Sequence, residues 1–132
     1  MARDRLLIDT TILIDHLRKP QKDKTLFYRL SLRFDYVIAV VTEFEFAIGS
    51  SPKNHDFVTA LLTQIPVLAL DSACIRTSVE TYQHLKASNQ LIPLPDIFIA
   101  ATAITHDLPL LTLNQKHFAR IARLRLYQDG SE

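Results

Sequence analysis

The chain reads as an α/β domain built on a mainly parallel sheet of four or five strands, and three observations predict it. Short apolar runs without polar alternation fall at residues 6–8, 36–41, 67–70 and 108–111, the pattern of strands buried on both faces. Segments with helical spacing of apolar residues separate these runs, the alternation that a parallel sheet with right-handed crossovers requires. Acidic side chains stand where a run or loop hands over to a helix, at Asp9, Glu45 and Asp96. In an open parallel sheet such junctions gather along one edge, at the carboxyl ends of the strands, where ligands bind. With 132 residues, 48% of them hydrophobic, and two glycines, the chain is expected to form one domain over residues 1–132 with a real core.

Each element has a local reason. Leu6, Leu7 and Ile8 run directly into Asp9, and Thr10 or Thr11 caps a helix through Ile12, Leu13, Ile14 and Leu17 that Pro20 closes. Leu26, Phe27, Leu30 and Phe34 are spaced for a second helix. The β-branched stretch 36–41 is the second strand, and Thr42 opens a helix that ends at Gly49. Pro52 precedes a helix through Phe57, Ala60, Leu61 and Leu62. After the strand at 67–70, Asp71 or Ser72 caps a helix expected to pack through Ile75, Val79, Tyr82 and Leu85. Pro95 takes a first-turn position in a helix that is apolar nearly all round from Ile97 to Ile104, and so deeply buried. The run 108–111, a short helical turn at Gln115–Phe118 and an edge strand at 124–127 complete the chain.

Composition excludes several classes. The single Cys74 allows no internal disulfide or cysteine-rich zinc site and reads as a core residue. Arg3, Asp4 and Arg5 interrupt any export signal, and no apolar stretch reaches membrane-spanning length, so a soluble cytoplasmic protein with no membrane partner is expected. The formal net charge is +1, but basic residues cluster at Arg18, Lys19, Lys22, Lys24, Arg29 and Arg33, and again at Lys116, Arg120, Arg123 and Arg125. Such stretches flanking an acidic centre admit a polyanion; equally, they are ordinary solvated helix faces.

The acids carry the chemistry. Asp9 suits a helix cap or a metal ligand. Glu45 has a rival explanation, because Thr42-Glu43-Phe44-Glu45 matches a capping box. Asp96 opens a helix with almost no polar face; the helix dipole offers about 0.3–1 kcal/mol, whereas burying an unpaired carboxylate costs several. A cluster of carboxylates repels itself unless a hard cation holds it, and oxygen-only donors suit Mg²⁺ or Mn²⁺. Thr11, Thr112 and Asn114 add neutral oxygens on the same edge. His117, between Lys116 and Phe118, reads as a surface residue, and Asp15 as a partner for a base such as Arg18.

These segments, in this order, resemble the PIN-domain ribonucleases, and in particular the VapC-type toxins of toxin–antitoxin pairs. Leu7 to Asp15 is similar to the family's opening strand and first acid, Ile38 to Gly49 to its second-acid segment with the acid on Glu45, Asp96 to Ala103 to its third, and Leu110 to Phe118 to its closing segment. Thr11 stands where the family usually has Asn or Ser, and Asn114 and His117 occupy the positions where many members carry a fourth acid. The resemblance implies a PIN-like α/β/α sandwich and hydrolysis of RNA phosphodiester bonds with Mg²⁺ (or Mn²⁺) at the acidic cleft. Asp9 and Asp96 would hold the ion, with Glu45 a third ligand or the group orienting its waters, and Thr11, Thr112 and Asn114 supporting. It further implies a homodimer and a cognate VapB-type antitoxin, for which Leu26, Phe27 and Leu30 are candidate docking residues unless they belong to the core. The competing readings are a non-catalytic PIN-like module that binds RNA or protein, and, more remotely, an aspartyl-nucleophile phosphatase.

Overall fold

Leu6, Leu7 and Ile8, among the most completely buried residues of the chain, lie in an inner strand of the sheet. The computed structural model describes residues 3–128. Its four strands are β1 (Arg5–Ile8), β2 (Asp35–Ala39), β3 (Val67–Leu68) and β4 (Leu110–Leu111), ordered β3-β2-β1-β4 with every neighbour parallel. The register places Leu7 beside Val37 and Leu110, and Ile8 beside Leu111.

Because successive strand residues point to opposite faces, the sheet divides the core in two. Leu7, Val37 and Leu110 pack on one side with residues of α5 (Ser72–Ala87), α6 (Leu94–Thr105) and α7 (Gln115–Phe118). Leu6, Ile8, Tyr36, Ile38 and Leu111 pack on the other with α1 (Thr10–Arg18), α2 (Leu26–Ser31), α3 (Val40–Ile48) and α4 (His55–Gln64). The result is the expected α/β/α sandwich. Every crossover returns the chain so that the strand ends face one edge, and α1 and α3 begin within two residues of β1 and β2.

α5 and α6 end alike. Asn89 and Asp107 take left-handed conformations (φ 56° and 53°), and the next N–H donates back to Leu85 and to Ala103. Asn and Asp tolerate that region better than other side chains, so each closes its helix without a glycine.

Several expectations are corrected. The edge strand at 124–127 is reduced to one parallel bridge, Leu126 to Leu110. The strands expected at 67–70 and 108–111 contract to two residues each. α3 starts at Val40, not at Thr42, with Ala39 as an N-cap that has no side-chain bond. The face of α5 is also different: Ile75, Val79 and Tyr82 are 40%, 49% and 38% exposed, and Cys74, Ser78, Thr81 and Leu85 point inward. Small inward residues let α5 lie close to the alanine- and threonine-rich α6, with Thr105 donating to Thr77 across the gap, and Ser78 can be buried because it donates to the Cys74 carbonyl. Leu30 is buried, and Leu26 and Phe27 pack against the same core. Asp15 pairs with Lys19 at 3.2 Å in place of Arg18.

Candidate active site

β1 delivers Asp9 to the sheet edge, where it is 3% exposed. Its carboxylate caps α1, Oδ1 accepting from the Thr11 backbone N–H and the Thr11 hydroxyl. Oδ2 accepts from the Thr112 hydroxyl at 2.7 Å. A hydroxyl can donate once and still accept. Thr11 Oγ1 takes the Leu113 N–H at 3.1 Å, and Thr112 Oγ1 takes the Asn114 N–H at 2.9 Å. The loop after β4 is thereby tied to Asp9 through two threonines. Burial pushes the Asp9 carboxyl up from 3.8 to about 6; the Thr11 and Thr112 donors pull it down, and the Asp96 charge pushes it up again.

Glu45 is not part of a capping box. With α3 beginning at Val40, Thr42 lies inside the helix, fully buried. Glu45 Oε1 instead accepts from the Thr10 hydroxyl at 2.6 Å, and Thr10 Oγ1 lies 3.3 Å from Thr42 Oγ1. Thr10 escaped the sequence reading except as a helix cap. Its position between two acid-bearing helices becomes visible only when β1 and β2 pair.

Asp96, in the first turn of α6, lies 3.0 Å through Oδ2 from His117 Nδ1. His117 is therefore not the surface residue expected from its neighbours. Asn114 stands at the N-cap of α7 without a side-chain capping bond; its amide lies 2.8 Å from the same ring nitrogen. One nitrogen cannot accept from Asn114 and also satisfy a carboxylate. With the proton on Nδ1 the ring donates to Asp96, and the Asn114 amide oxygen, turned toward the ring, shares that proton in a three-centre bond. The motif that could have revealed this is the spacing Asn114-x-x-His117 after a strand, with both residues at the start of a short helix.

A pocket of about 380 Å³ at the sheet edge is lined by Asp9, Glu45 and Asp96 together with Thr10, Thr11 and Asn114. Glu43 does not line it. Thr112 reaches it through its bond to Asp9. The donor set suits a hard divalent cation: it offers oxygen, no thiolate, and one carboxylate whose charge burial makes costly. The trio is not drawn in to one point, however. Among the described residues no three His, Cys, Asp or Glu side chains converge closely enough to hold one ion, and Thr10 and His117 hold Glu45 and Asp96 as they stand. Asp9 and Asp96 sense each other's charge, as a pair sharing one pocket must.

A parallel α/β/α sandwich that brings Asp9 from the end of β1, Glu45 from within α3 and Asp96 from the first turn of α6 to one pocket defines an acidic-site PIN-like domain. The chain belongs to the PIN domain family, which it matches over residues 6–124. It is 31% identical over 123 residues to Ribonuclease VapC1 of Methanocaldococcus jannaschii, covering 92% of this chain and 85% of that one. It is likewise 31% identical over 122 residues to Ribonuclease VapC10 of Mycobacterium tuberculosis, covering 91% and 90%. Among solved structures, a toxin–antitoxin complex from Klebsiella pneumoniae contains a chain 28% identical to this one, with a TM-score of 0.72 over 94% of this chain and 99% of that chain. DNA-bound VapBC from Salmonella typhimurium shares the fold at a TM-score of 0.81 over 96% and 98%, with 21% identity.

Proposed function

We propose that this chain is the toxin of a type II toxin–antitoxin pair, an endoribonuclease that hydrolyses RNA phosphodiester bonds with Mg²⁺ or Mn²⁺ at the pocket of Asp9, Glu45 and Asp96. The observation that carries this reading is that Asp9 from the end of β1, Glu45 from within α3 and Asp96 from the first turn of α6 line one pocket, with a desolvated Asp9 that a cation would relieve. The ribonuclease names of relatives covering nine-tenths of the chain support it.

A divalent ion in this pocket supplies positive charge at the phosphate and a more acidic water. The chain's own residues do the rest. Asp9 and Asp96 would hold the ion. Thr11 and Thr112 keep both Asp9 oxygens aimed, and Thr10 fixes Glu45, which orients water. Positioning and charge stabilisation account for most of a phosphoryl displacement, so rigid supports of this kind matter more than a strong base.

The partner is a VapB-type antitoxin, as toxin–antitoxin neighbours of the fold suggest. We also assign a homodimer and a cytoplasmic site of action. No described helix is long and apolar enough to cross a membrane. The exposed stripe Ile75, Val79 and Tyr82 on α5 offers a self-association surface.

The test is cleavage of total RNA by purified protein with Mg²⁺, Mn²⁺ or EDTA, alongside Asp9→Asn and Asp96→Asn. Metal-dependent cleavage that both variants lose supports the reading; full cleavage by either variant refutes it. A non-catalytic binding module is the second reading. It is favoured by the splayed acids and by His117 standing against Asp96, and binding of RNA without cleavage under every metal condition would establish it.

A further inference from the structure

A groove of about 500 Å³ continues from the acidic pocket between α1, α3 and α4, sharing Glu45 and Ile14 with it. Leu17, Phe46 and Phe57 line it with apolar surface, and Arg18, Lys22 and Lys53 bring three cations. The basic run from Arg18 to Arg33 is not one face. Lys19 pairs with Asp15, and Arg33 turns to the Tyr127 hydroxyl. Only Arg18 and Lys22 of that run line the groove, joined by Lys53 from the approach to α4.

The cations do different work. Lys22 Nζ donates to the carbonyls of His16, Leu17 and Lys19 at 2.7–2.8 Å, closing the C-terminus of α1, and sits 4.9 Å from the Phe57 ring centroid. It braces the groove wall and has no donor to spare. Arg18 and Lys53 are exposed and, among the described residues, have no hydrogen-bond or ion-pair partner.

Resting on the ribonuclease reading above, we propose that this groove is a substrate subsite that seats an unpaired nucleotide next to the cleaved bond, with its base against Leu17 and Phe57 and a flanking phosphate on Arg18 and Lys53. Apolar side chains next to unpaired cations match the two halves of a nucleotide, and single strands are held by that pairing of apolar contact and charge. The groove's volume lies in the range that buries a small ligand. A strand whose phosphodiester lies among the acids must also leave the pocket, and this exit is contiguous with it. A duplex keeps its bases stacked inside and cannot offer one to the apolar wall.

The experiment uses the full chain carrying Asp96→Asn to block turnover, and a fluorescein-labelled single-stranded RNA of about twelve nucleotides, read by polarisation across a salt series. Adding Arg18→Ala and Lys53→Ala weakens binding about tenfold at physiological salt and lowers the log–log salt slope by about 1.4, the loss of two single-strand phosphate contacts. A fully paired RNA of the same sequence competes poorly for the parent protein. With Asp96 restored, the double variant raises KM while kcat and Tm stay unchanged. An unchanged affinity and slope overturn the subsite, as does equal competition by the duplex. Undiminished RNA binding with a weakened antitoxin complex also overturns it and makes the groove a protein dock. If wild-type protein neither binds nor cuts RNA, the ribonuclease reading itself fails; if it cuts and the double variant cuts equally well, only the subsite fails.

Discussion

Replacing Asp9 by Asn separates what the carboxylate does for a cation from what it costs the fold. Asp9 is 3% exposed, and burial lifts its pKa from 3.8 to about 6. In metal-free protein at neutral pH that rise corresponds to about 3 kcal/mol against the charged form. The sign follows from linkage. A raised folded-state pKa leaves stability intact below 3.8 and erodes it as pH climbs through about 6. Asn removes the charge but cannot accept both threonine hydroxyls, a loss of about 1 kcal/mol. The variant in EDTA at pH 7.5 is therefore more stable by about 2 kcal/mol, which is about 6 °C in Tm for a chain of this size. The advantage shrinks steadily from pH 7, vanishes at about pH 4.5 and reverses below it, where the lost hydrogen bond outweighs the relieved charge. Excess Mn²⁺ reverses the order, because only the wild type gains from the cation. Thermal melts of both proteins across this pH series, with EDTA and with Mn²⁺, read all of it. A variant less stable than wild type in EDTA at pH 7.5, or a gap indifferent to pH, would refute the account of Asp9 as a strained, desolvated charge.

Other outcomes follow from the supports around the acids. His117→Ala weakens Mn²⁺ binding, measured by calorimetry, by roughly tenfold or more, the usual effect of removing a ligand's support. His117→Asn, which keeps a donor near the Nδ1 position facing Asp96, restores it, and His117→Gln, which reaches the Nε2 position, does not. Thr10→Val frees Glu45 from its 2.6 Å bond and lowers kcat roughly tenfold in an RNA cleavage assay with Tm nearly unchanged. Leu30→Ala, at a buried core position, lowers stability to urea by about 2–4 kcal/mol, whereas a mere docking residue would lose under 1. Val79→Arg, on the exposed face of α5, converts the proposed dimer to monomer in light scattering and leaves Tm intact; a wild type that runs as a monomer refutes that assignment.

The legible part of this protein was its sequence-local part. Unalternated apolar runs marked strands buried on both faces, and the parallel topology followed from their spacing. A strand end running into Asp9 and a loop running into Asp96 put two acids on one edge; Glu45 reaches the same pocket from within α3, five residues past the helix start, not from its junction with β2. The errors arose where a residue's role depends on a neighbour distant in sequence. Thr42 and Glu45 carry a capping-box signature, yet α3 starts at Val40, and the glutamate spends its bond on Thr10. Ile75, Val79 and Tyr82 have the right period for a core face, yet the small residues on the other side of α5 let it approach α6 more closely. His117 sits among residues of mixed character, and nothing local announces that α6 brings Asp96 to within 3.0 Å of it.

What the amino-acid order determined alone was therefore where four strands lie, though not their lengths, which segments carry the acids, and that those acids share an edge. Local propensity and the geometry of parallel crossovers are enough for that. Only the tertiary structure decided how the charges are held: the Thr11 and Thr112 hydroxyls on Asp9, Thr10 on Glu45 and His117 on Asp96. Hydrogen bonds between side chains that chain distance separates exist only after the layers pack, and a one-dimensional pattern has no term for them.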